Sequence, residues 1–262
     1  MRKAIIPIIL VAVLAAATLF SGCGTTGLGN IVTEEKDFTD FTRVGVEGTF
    51  EVEIVQSESF SVIVSSDENF SDYVAVSREG ETLRIYLNPR HTFTDFTLQA
   101  RILEVKITMP ALRGLRLSGA SKGTVAGFKS LQDFSVDISG ASSLEMDDIG
   151  VDDAEFKISG ASKVSGSISA DDTELEVSGA SKVELKGSAD NTILNASGAS
   201  QVNLTDFPLN NANIKLSGAS EATLNAKGRL DCTLSAASSL YFLGNPTMGN
   251  IRVTGASTIK HR

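Results

Sequence analysis

The sequence predicts an all-β protein built mainly as a right-handed parallel β-helix, and three observations carry this prediction. The tetrapeptide Ser-Gly-Ala-Ser returns along the second half of the chain at spacings of 18 to 21 residues. Apolar and polar residues alternate on both sides of each copy, which is typical of strands with one buried face. No repeat shows the periodicity of an amphipathic helix. Coils of about 20 residues, made of strands and turns, are therefore expected to stack on one another, and the preference of parallel crossovers predicts right-handed winding.

The tetrapeptide is interpreted as a corner between the two strands of each coil. Its copies begin at Ser118, Ser139, Ser159, Ser178, Ser197 and Ser217, and two altered copies begin at Ser235 and Thr254. Glycine tolerates backbone dihedrals that other residues avoid, and stacked serine hydroxyls can bond to one another or to nearby backbone. The alternative, a serine nucleophile, is disfavoured because no histidine or acidic residue recurs at a matched distance from the motif.

The residues before the motif form columns that should become apolar ladders inside the coil. A first buried ladder is predicted from Leu117, Ile138, Ile158, Val177, Leu216, Leu234 and Val253. A second ladder, two residues further back, consists of Leu115, Val136, Phe156, Leu175, Leu194, Ile214, Cys232 and Ile251. Its position in this column makes Cys232 a lone buried thiol rather than a redox site.

Residues 38–114 lack the full motif but are also rich in alternating apolar residues. They are predicted to form irregular initial coils, with antiparallel strand pairs that close the N-terminal end of the β-helix. Residues 46–50 read Val-Glu-Gly-Thr-Phe, which resembles an altered first copy of the motif. Residues 38–262 are therefore predicted to form a single domain, in which residues 115–262 carry the repeats.

The N-terminus has the layout of a bacterial lipoprotein signal. Arg2 and Lys3 precede an apolar run over residues 4–20, and the run ends in Leu-Phe-Ser-Gly before Cys23. Resemblance to that class implies removal of residues 1–22 and lipidation of Cys23, with residues 23–37 as the acylated cysteine and tether. Phe20 departs from the leucine usual at that position, and the alternative is an ordinary secreted protein with one unpaired cysteine. Gly24 favours outer-membrane sorting if the source has an outer membrane.

The charge balance excludes nucleic acid as an expected partner. The chain has 23 basic and 32 acidic residues, a formal net charge of −9. Loss of Arg2 and Lys3 with the signal peptide lowers this charge to about −11, which disfavours contact with phosphate backbones. Lys122, Lys163 and Lys182 share one outward column, interpreted as a solvated face.

A second recurring feature is a pair of polar residues, mostly Asp or Asn, ahead of five of the motif copies; the pattern lapses at Gly228-Arg229 and Thr247-Met248. The pairs are Gln132-Asp133, Asp152-Asp153, Asp171-Asp172, Asp190-Asn191 and Asn210-Asn211. Asp and Asn side chains stabilise turns, so stacked turns explain the column without a ligand. The sharper alternative is weak Ca²⁺ binding by Asp152, Asp153, Asp171 and Asp172. No catalytic, nucleotide or cofactor motif is recognised, so no cofactor is predicted.

Several segments together resemble a known bacterial family. Residues 41–54 follow the pattern Phe-x-x-Val-x-Val-x-Gly-x-Phe-x-Val-x-Ile, and residues 82–85, residues 105–112 and the Ser-Gly-Ala-Ser series come after it. Over residues 38–260 the chain resembles the family called putative auto-transporter adhesin, head GIN domain. The resemblance implies a secreted or lipid-anchored protein with a role in adhesion, and it supplies no active site.

The function predicted from these features is that of a non-enzymatic, lipid-anchored cell-envelope protein, an adhesin or surface-binding module with a glycan or protein ligand. One alternative is a carbohydrate-active β-helix enzyme that acts on acidic polysaccharide. Against it, aromatic residues make up only 6% of the chain and Trp is absent. Another alternative is an envelope scaffold or sensor that binds a protein partner.

Overall fold

The computed structural model describes residues 30–88 and 102–262. Cys23 and the predicted signal peptide, residues 1–22, lie outside the described residues. The described part is built from strands and one short 3₁₀ helix, Glu68–Tyr73. Within it, no helix has the length and apolar character needed to cross a membrane.

The strands fall into an N-terminal group and a repeat group. The N-terminal group is β1 (Ile31–Glu35), β2 (Arg43–Gly48), β3 (Glu51–Gln56), β4 (Ser61–Asp67), β5 (Val74–Glu79), β6 (Thr82–Leu87) and β7 (Leu103–Met109). The repeat group starts with β8 (Gly114–Gly119), β9 (Lys122–Ala126), β10 (Phe134–Ile138), β11 (Ser143–Gly150), β12 (Asp153–Ile158), β13 (Lys163–Ser169) and β14 (Asp172–Val177). It ends with β15 (Lys182–Ala196), β16 (Gln201–Leu216), β17 (Glu221–Ala226), β18 (Arg229–Leu234), β19 (Ser239–Leu243), β20 (Thr247–Val253) and β21 (Thr258–His261).

These strands form the two walls of a β-solenoid of about seven turns, which confirms the predicted fold class. Wall A contains, in spatial order, β5, β6, β2, β8, β10, β12, β14, β15, β16, β18 and β20. Wall B contains β1, β4, β7, β3, β9, β11, β13, β15, β16, β17, β19 and β21. The long strands β15 and β16 take part in both walls, because each continues from wall B through the turn into wall A.

The apolar ladders lie between the walls and form one continuous core. In the first ladder each coil pairs in register with the next, and its members Leu117, Ile138, Ile158, Val177, Ala196, Leu216 and Leu234 are at most 3% exposed. The second ladder is buried in the same way from Leu115 to Cys232. Full burial of one such side chain stabilises the folded chain by about 1.5–3 kcal/mol, so the ladders supply the main cohesion between coils.

The prediction of burial is wrong at the last coil. Val253 and Ile251 pair in register with Leu234 and Cys232, but they are 39% and 38% exposed. Their side chains lie in strand β20, which has a partner strand on one side only within the described residues. A ladder residue is buried when a coil packs on each side of it. Within the described residues, a coil packs against β20 on one side only.

The Ser-Gly-Ala-Ser corner explains its own composition. Gly160 has φ +78°, and a Cβ there would lie 2.3 Å from the carbonyl oxygen of Gly140 in the preceding coil. Only glycine fits this close approach without strain. The last serine, Ser162, is buried, and its hydroxyl donates a hydrogen bond of 2.8 Å to the carbonyl of Ser159. The hydroxyl is therefore satisfied inside the corner by backbone, as the structural interpretation predicts.

The N-terminal region forms the predicted irregular cap, with an order of coils that differs from the order in the chain. Gly48 pairs with Gly119, so residues 46–50 are indeed a first copy of the corner. The coil made by β6 and β7 stacks on the outer side of the coil made by β2 and β3. Antiparallel pairing of β5 with β6, of β4 with β7 and of β1 with β4 then finishes the two walls. Phe41 and Phe60, whose rings lie 4.9 Å apart, pack under this cap.

Candidate ligand-binding surface

The outer face of wall A carries a group of arginines on its first coils. Arg84 of β6, Gly45 of β2 and Arg116 of β8 pair in register, so two arginines flank a glycine across three neighbouring strands. Arg43 precedes Gly45 by two residues and pairs with Gly114 of β8. These positions alternate with the buried Val44, Val46, Leu115 and Leu117, so their side chains point outward.

The two glycines leave a hollow on this face of about 630 Å³, which we call the arginine hollow. It is lined by Arg43, Gly45, Arg84, Gly114 and Arg116, together with Glu47, Glu79, Thr82, Tyr86, Ser118, Ser135 and Asp137. A Cβ on Gly45 would have no neighbour closer than 3.9 Å, so the space above this residue is open. A Cβ on Gly114 would lie 2.8 Å from Nη1 of Arg43, so the Arg43 side chain lies across Gly114.

The three arginines differ in how they are held. Arg84 donates hydrogen bonds of 3.1 and 3.2 Å to the carboxylate of Glu79, and its guanidinium lies 5.6 Å from the ring centroid of Tyr86. Arg116 forms an ion pair of 3.5 Å with Asp137. Within the described part of the chain, no carboxylate pairs with Arg43. Among the described residues, the hollow therefore offers two guanidinium groups that are paired with carboxylates and one, that of Arg43, that is not. Guanidinium groups bind planar anions through paired hydrogen bonds.

The predicted Asp and Asn column lies at the corner where wall B turns into wall A, opposite the Ser-Gly-Ala-Ser corner of the coil. Asp153 pairs in register with Asp172, and Asp172 in turn with Asn191. The Nδ2 atom of Asn191 donates a hydrogen bond of 2.7 Å to the carboxylate of Asp172, and the backbone N–H of Asp172 donates one of 3.2 Å to Asp153. These side chains link successive turns, which is the role that the turn interpretation assigns to them.

Negative charge accumulates at this corner. Partial desolvation, and then the charges of Asp153, Asp171 and Asp133, raise the pKa of the Asp152 carboxyl. Among the residues with described positions, no group of three or more His, Cys, Asp or Glu side chains is arranged to hold a metal ion. Ca²⁺ binding by Asp152, Asp153, Asp171 and Asp172 stays the untested alternative to the turn interpretation.

The other candidate residues are placed as follows. Cys23 lies outside the described residues, so its lipidation stays a prediction. Lys163 and Lys182 pair in register, and Lys122 lies in the same outward column of wall B across one intervening strand. Burial raises the pKa of the Cys232 thiol to about 11, which keeps it in the unreactive protonated form.

Sequence reasoning missed the arginine hollow. Its three arginines come from strands that are distant in the chain, and they meet because β2 lies between β6 and β8. The one local signal is that Gly45 stands at an outward position of an otherwise regular strand, where glycine has no role in turning the chain.

Comparison with solved structures identifies the same fold in other bacterial proteins. A protein described as a "putative adhesin" from Parabacteroides distasonis superposes with a TM-score of 0.81 at 18% identity, covering 89% of this chain and 98% of that one. A second "putative adhesin", from Parabacteroides merdae, gives a TM-score of 0.79 at 17% identity, covering 90% and 98%. A protein from P. distasonis described as a "putative lipid binding protein" gives 0.73 at 18% identity, covering 89% and 97%.

The comparison with curated proteins finds no match. The sequence pattern of one family, described as "Putative auto-transporter adhesin, head GIN domain", matches residues 40–246. This match covers most of the chain, and it includes the cap apart from β1, the arginine hollow and nearly all the repeats. The chain belongs to this family.

Proposed function

We propose that this protein is a lipid-anchored binding module of the bacterial cell envelope, which attaches to a surface ligand without chemically changing it. In this proposal residues 1–22 are removed, Cys23 carries the lipid and the segment between Cys23 and β1 tethers the solenoid to the membrane. The tether expected from the sequence, residues 23–37, is too long, because residues 31–35 form β1 and pair with β4. If the source is Gram-negative, Gly24 favours the outer membrane. The ligand is a glycan or a protein exposed in the envelope or on another surface.

The arginine hollow is the observation that supports binding most directly. Its guanidinium groups are carried by strands of a stacked wall, so their backbone positions are set before a ligand arrives. Two carboxylates of the hollow already have arginine partners: Glu79 accepts a hydrogen bond from Arg84, and Asp137 forms an ion pair with Arg116. The family description and two of the similar structures name adhesion, and none of these descriptions names a reaction.

The anchor is tested with cells that produce the full-length protein or its Cys23→Ser variant. We expect the wild type to incorporate a fatty-acid label and to sediment with membranes. The variant should carry no label and should appear in the soluble fraction, because no acyl chain then holds it at the bilayer. Equal labelling of the two proteins would show that Cys23 is not the lipidated residue.

Binding without turnover is tested by adding the detergent-solubilised full-length protein to immobilised glycans and envelope proteins. We expect saturable retention on at least one of these surfaces. In parallel, polygalacturonate is incubated with the protein and assayed for new reducing ends, which a polysaccharide-degrading enzyme would release. Release of reducing ends that scales with protein concentration would replace this proposal with the enzyme alternative.

A further inference from the structure

We infer that the arginine hollow binds an acidic saccharide, a sugar unit that carries a carboxylate or a sulfate. This inference deepens the proposed binding function and rests on it. Four features of the hollow support it: its unpaired arginine, its size and lining, the spacing of its arginines, and their restraint by neighbours.

Within the described residues, Arg43 gives the hollow a guanidinium group that no carboxylate pairs with, although the three arginines and the three carboxylates of its lining balance in formal charge. The chain has a formal net charge of −9, so the meeting of three guanidinium groups on one face is not a result of a basic composition. Arg43 has no carboxylate partner within the described residues, and its side chain lies over Gly114, beside the open space over Gly45. A carboxylate or sulfate placed over Gly45 would lie among Arg43, Arg84 and Arg116.

The size and lining of the hollow favour a sugar over a simple anion. The hollow measures about 630 Å³, inside the range of about 300–1,000 Å³ typical of small-molecule pockets. Its rim includes hydroxyls of Thr82, Ser118 and Ser135 and the carboxylate of Glu47. Hydroxyl and carboxylate oxygens can accept hydrogen bonds from the hydroxyls of a sugar. An acid with an otherwise apolar body has no hydroxyls to donate such bonds.

The acidic residues on the rim also argue against densely charged partners. Glu47, Glu79 and Asp137 line the same hollow as the arginines. A nucleic acid or an anionic membrane presents closely spaced negative charges, and several of these would face the three carboxylates. A saccharide with one anionic group and several neutral hydroxyls places its charge at the arginines and its hydroxyls at the rim.

The spacing and restraint of the arginines complete the argument. Arg84 and Arg116 stand two strands apart, about 9.5 Å at the usual strand spacing, which leaves room for a ring over Gly45 between them. Glu79 and Tyr86 hold Arg84, and Asp137 holds Arg116. Side chains that are already restrained lose less conformational freedom when a ligand binds.

The test uses two substitutions in the hollow and one matched control. Arg43→Gln removes the unpaired charge and keeps most of the side-chain length. Gly45→Gln leaves every charge in place but fills the hollow, and the strand accommodates it because a Cβ there has no neighbour closer than 3.9 Å. Arg252→Gln is the control, since Arg252 is an exposed arginine on the outer face of wall A at the other end of the solenoid, in the column that contains Gly45 and Arg116.

The probes are sialyllactose and sulfated lactose, with lactose as their neutral parent, together with trigalacturonate. Binding to the full-length protein in detergent is measured by calorimetry, and the thermal midpoint of each variant confirms that it is folded. We expect the wild type to bind at least one acidic probe and to ignore lactose. Arg43→Gln should weaken that binding about tenfold to a hundredfold, the range for losing a charged hydrogen bond. Gly45→Gln should abolish it, and Arg252→Gln should leave it unchanged.

Several results would overturn the inference. These are failure of every acidic probe to bind, equal binding of lactose, or equal weakening by all three substitutions, which would indicate diffuse attraction rather than a site. Binding to vesicles of anionic phospholipid that depends on Arg43, without binding of any saccharide, would reassign the hollow to membrane contact. If the wild type is retained on an immobilised protein while no acidic probe binds, this inference fails but the proposed binding function stands. If the wild-type protein is retained on none of the immobilised surfaces and binds no acidic probe, both this inference and the proposed binding function fail.

Discussion

At the scale of single residues, the corner glycines show how closely the coils approach one another. Gly160 belongs to a column in which each glycine from Gly119 to Gly255 has a positive φ and faces the backbone of the preceding coil. Ala236 occupies the same column with φ +64°, a region that L-residues with a side chain rarely adopt. The altered copy Ser-Ala-Ala-Ser is therefore a strained corner.

Reciprocal substitutions test this strain. Gly160→Ala should destabilise the protein by about 1–3 kcal/mol or more, because left-handed strain adds to the contact with Gly140. Ala236→Gly should stabilise it by about 0.5–1 kcal/mol, since relief of strain exceeds the added freedom of the unfolded chain. Ser162→Ala, which removes one hydrogen bond in the same corner, should destabilise it by about 1 kcal/mol. Denaturant unfolding measures all three, and a destabilising Ala236→Gly would show that the corner tolerates alanine without strain.

The pair Arg229 and Asp231 gives a prediction on pH. Arg229 donates to the Asp231 carboxylate at 2.6 and 2.8 Å, the backbone N–H of Asn250 donates at 2.7 Å, and these bonds lower the pKa of Asp231 to about 2. A pKa below the unfolded value of 3.8 means that the pair stabilises the protein above that pH. This stabilisation is lost as the pH falls from about 4 to about 2. In Arg229→Ala the pKa of Asp231, followed by NMR, should rise toward 3.8, and an unchanged titration would contradict the assigned cause.

At the scale of a structural element, the first ladder separates the centre of the solenoid from its last coil. Ile158 is 2% exposed and Val253 is 39% exposed, although both follow the same sequence pattern. Ile158→Asp would bury an unpaired charge and should destabilise the protein severely, by about 4 kcal/mol or more. Val253→Asp places the same charge at a position open to water and should have a much smaller effect. Equal losses in unfolding free energy would indicate that the last coil is covered in solution.

The Asp and Asn column is the second element that yields a prediction. Its carboxylates already accept hydrogen bonds from the next coil, as at Asp172, and from Asn210 at Asp190 with a distance of 2.9 Å. If these residues only shape turns, Ca²⁺ and Mg²⁺ at equal ionic strength should shift the thermal midpoint alike, because both screen the same charge. A Ca²⁺ site would raise the midpoint selectively, and only in a protein that retains Asp152, Asp153, Asp171 and Asp172. We expect the first result.

At the scale of the whole molecule, the sequence predicts the structural features that recur in every coil and does not predict those that occur once. The period of the motif and the alternation around it were enough to place Ile158 and its ladder, because each coil meets the same neighbours. The stacking of β6 and β7 on the outer side of β2 and β3 occurs once and does not recur along the chain, so no repeated or local sequence pattern encodes it. The arginine hollow depends on this stacking, because Arg84 lies beside Gly45 only when β6 packs next to β2. The exposure of Val253 depends on what lies beyond β20, which the pattern of the repeat does not specify.

The same one-dimensional architecture predicts a gradient of local stability along the solenoid. Each coil contacts its immediate neighbours only, so a coil covered on both sides opens less readily than one covered on one side. Strands β12 and β14 lie in the middle, while β20 and β21 pair on one side within the described chain. At the other end, β4 pairs on both sides and buries Val62 and Val64 against the core. Hydrogen exchange of the full-length protein, read by mass spectrometry, should therefore be fastest in β1, β5, β20 and β21, which each pair on one side within the described chain, slow in β4 and slowest around β12 and β14. Protection of β20 equal to that of β12 would mean that another surface covers the last coil in solution.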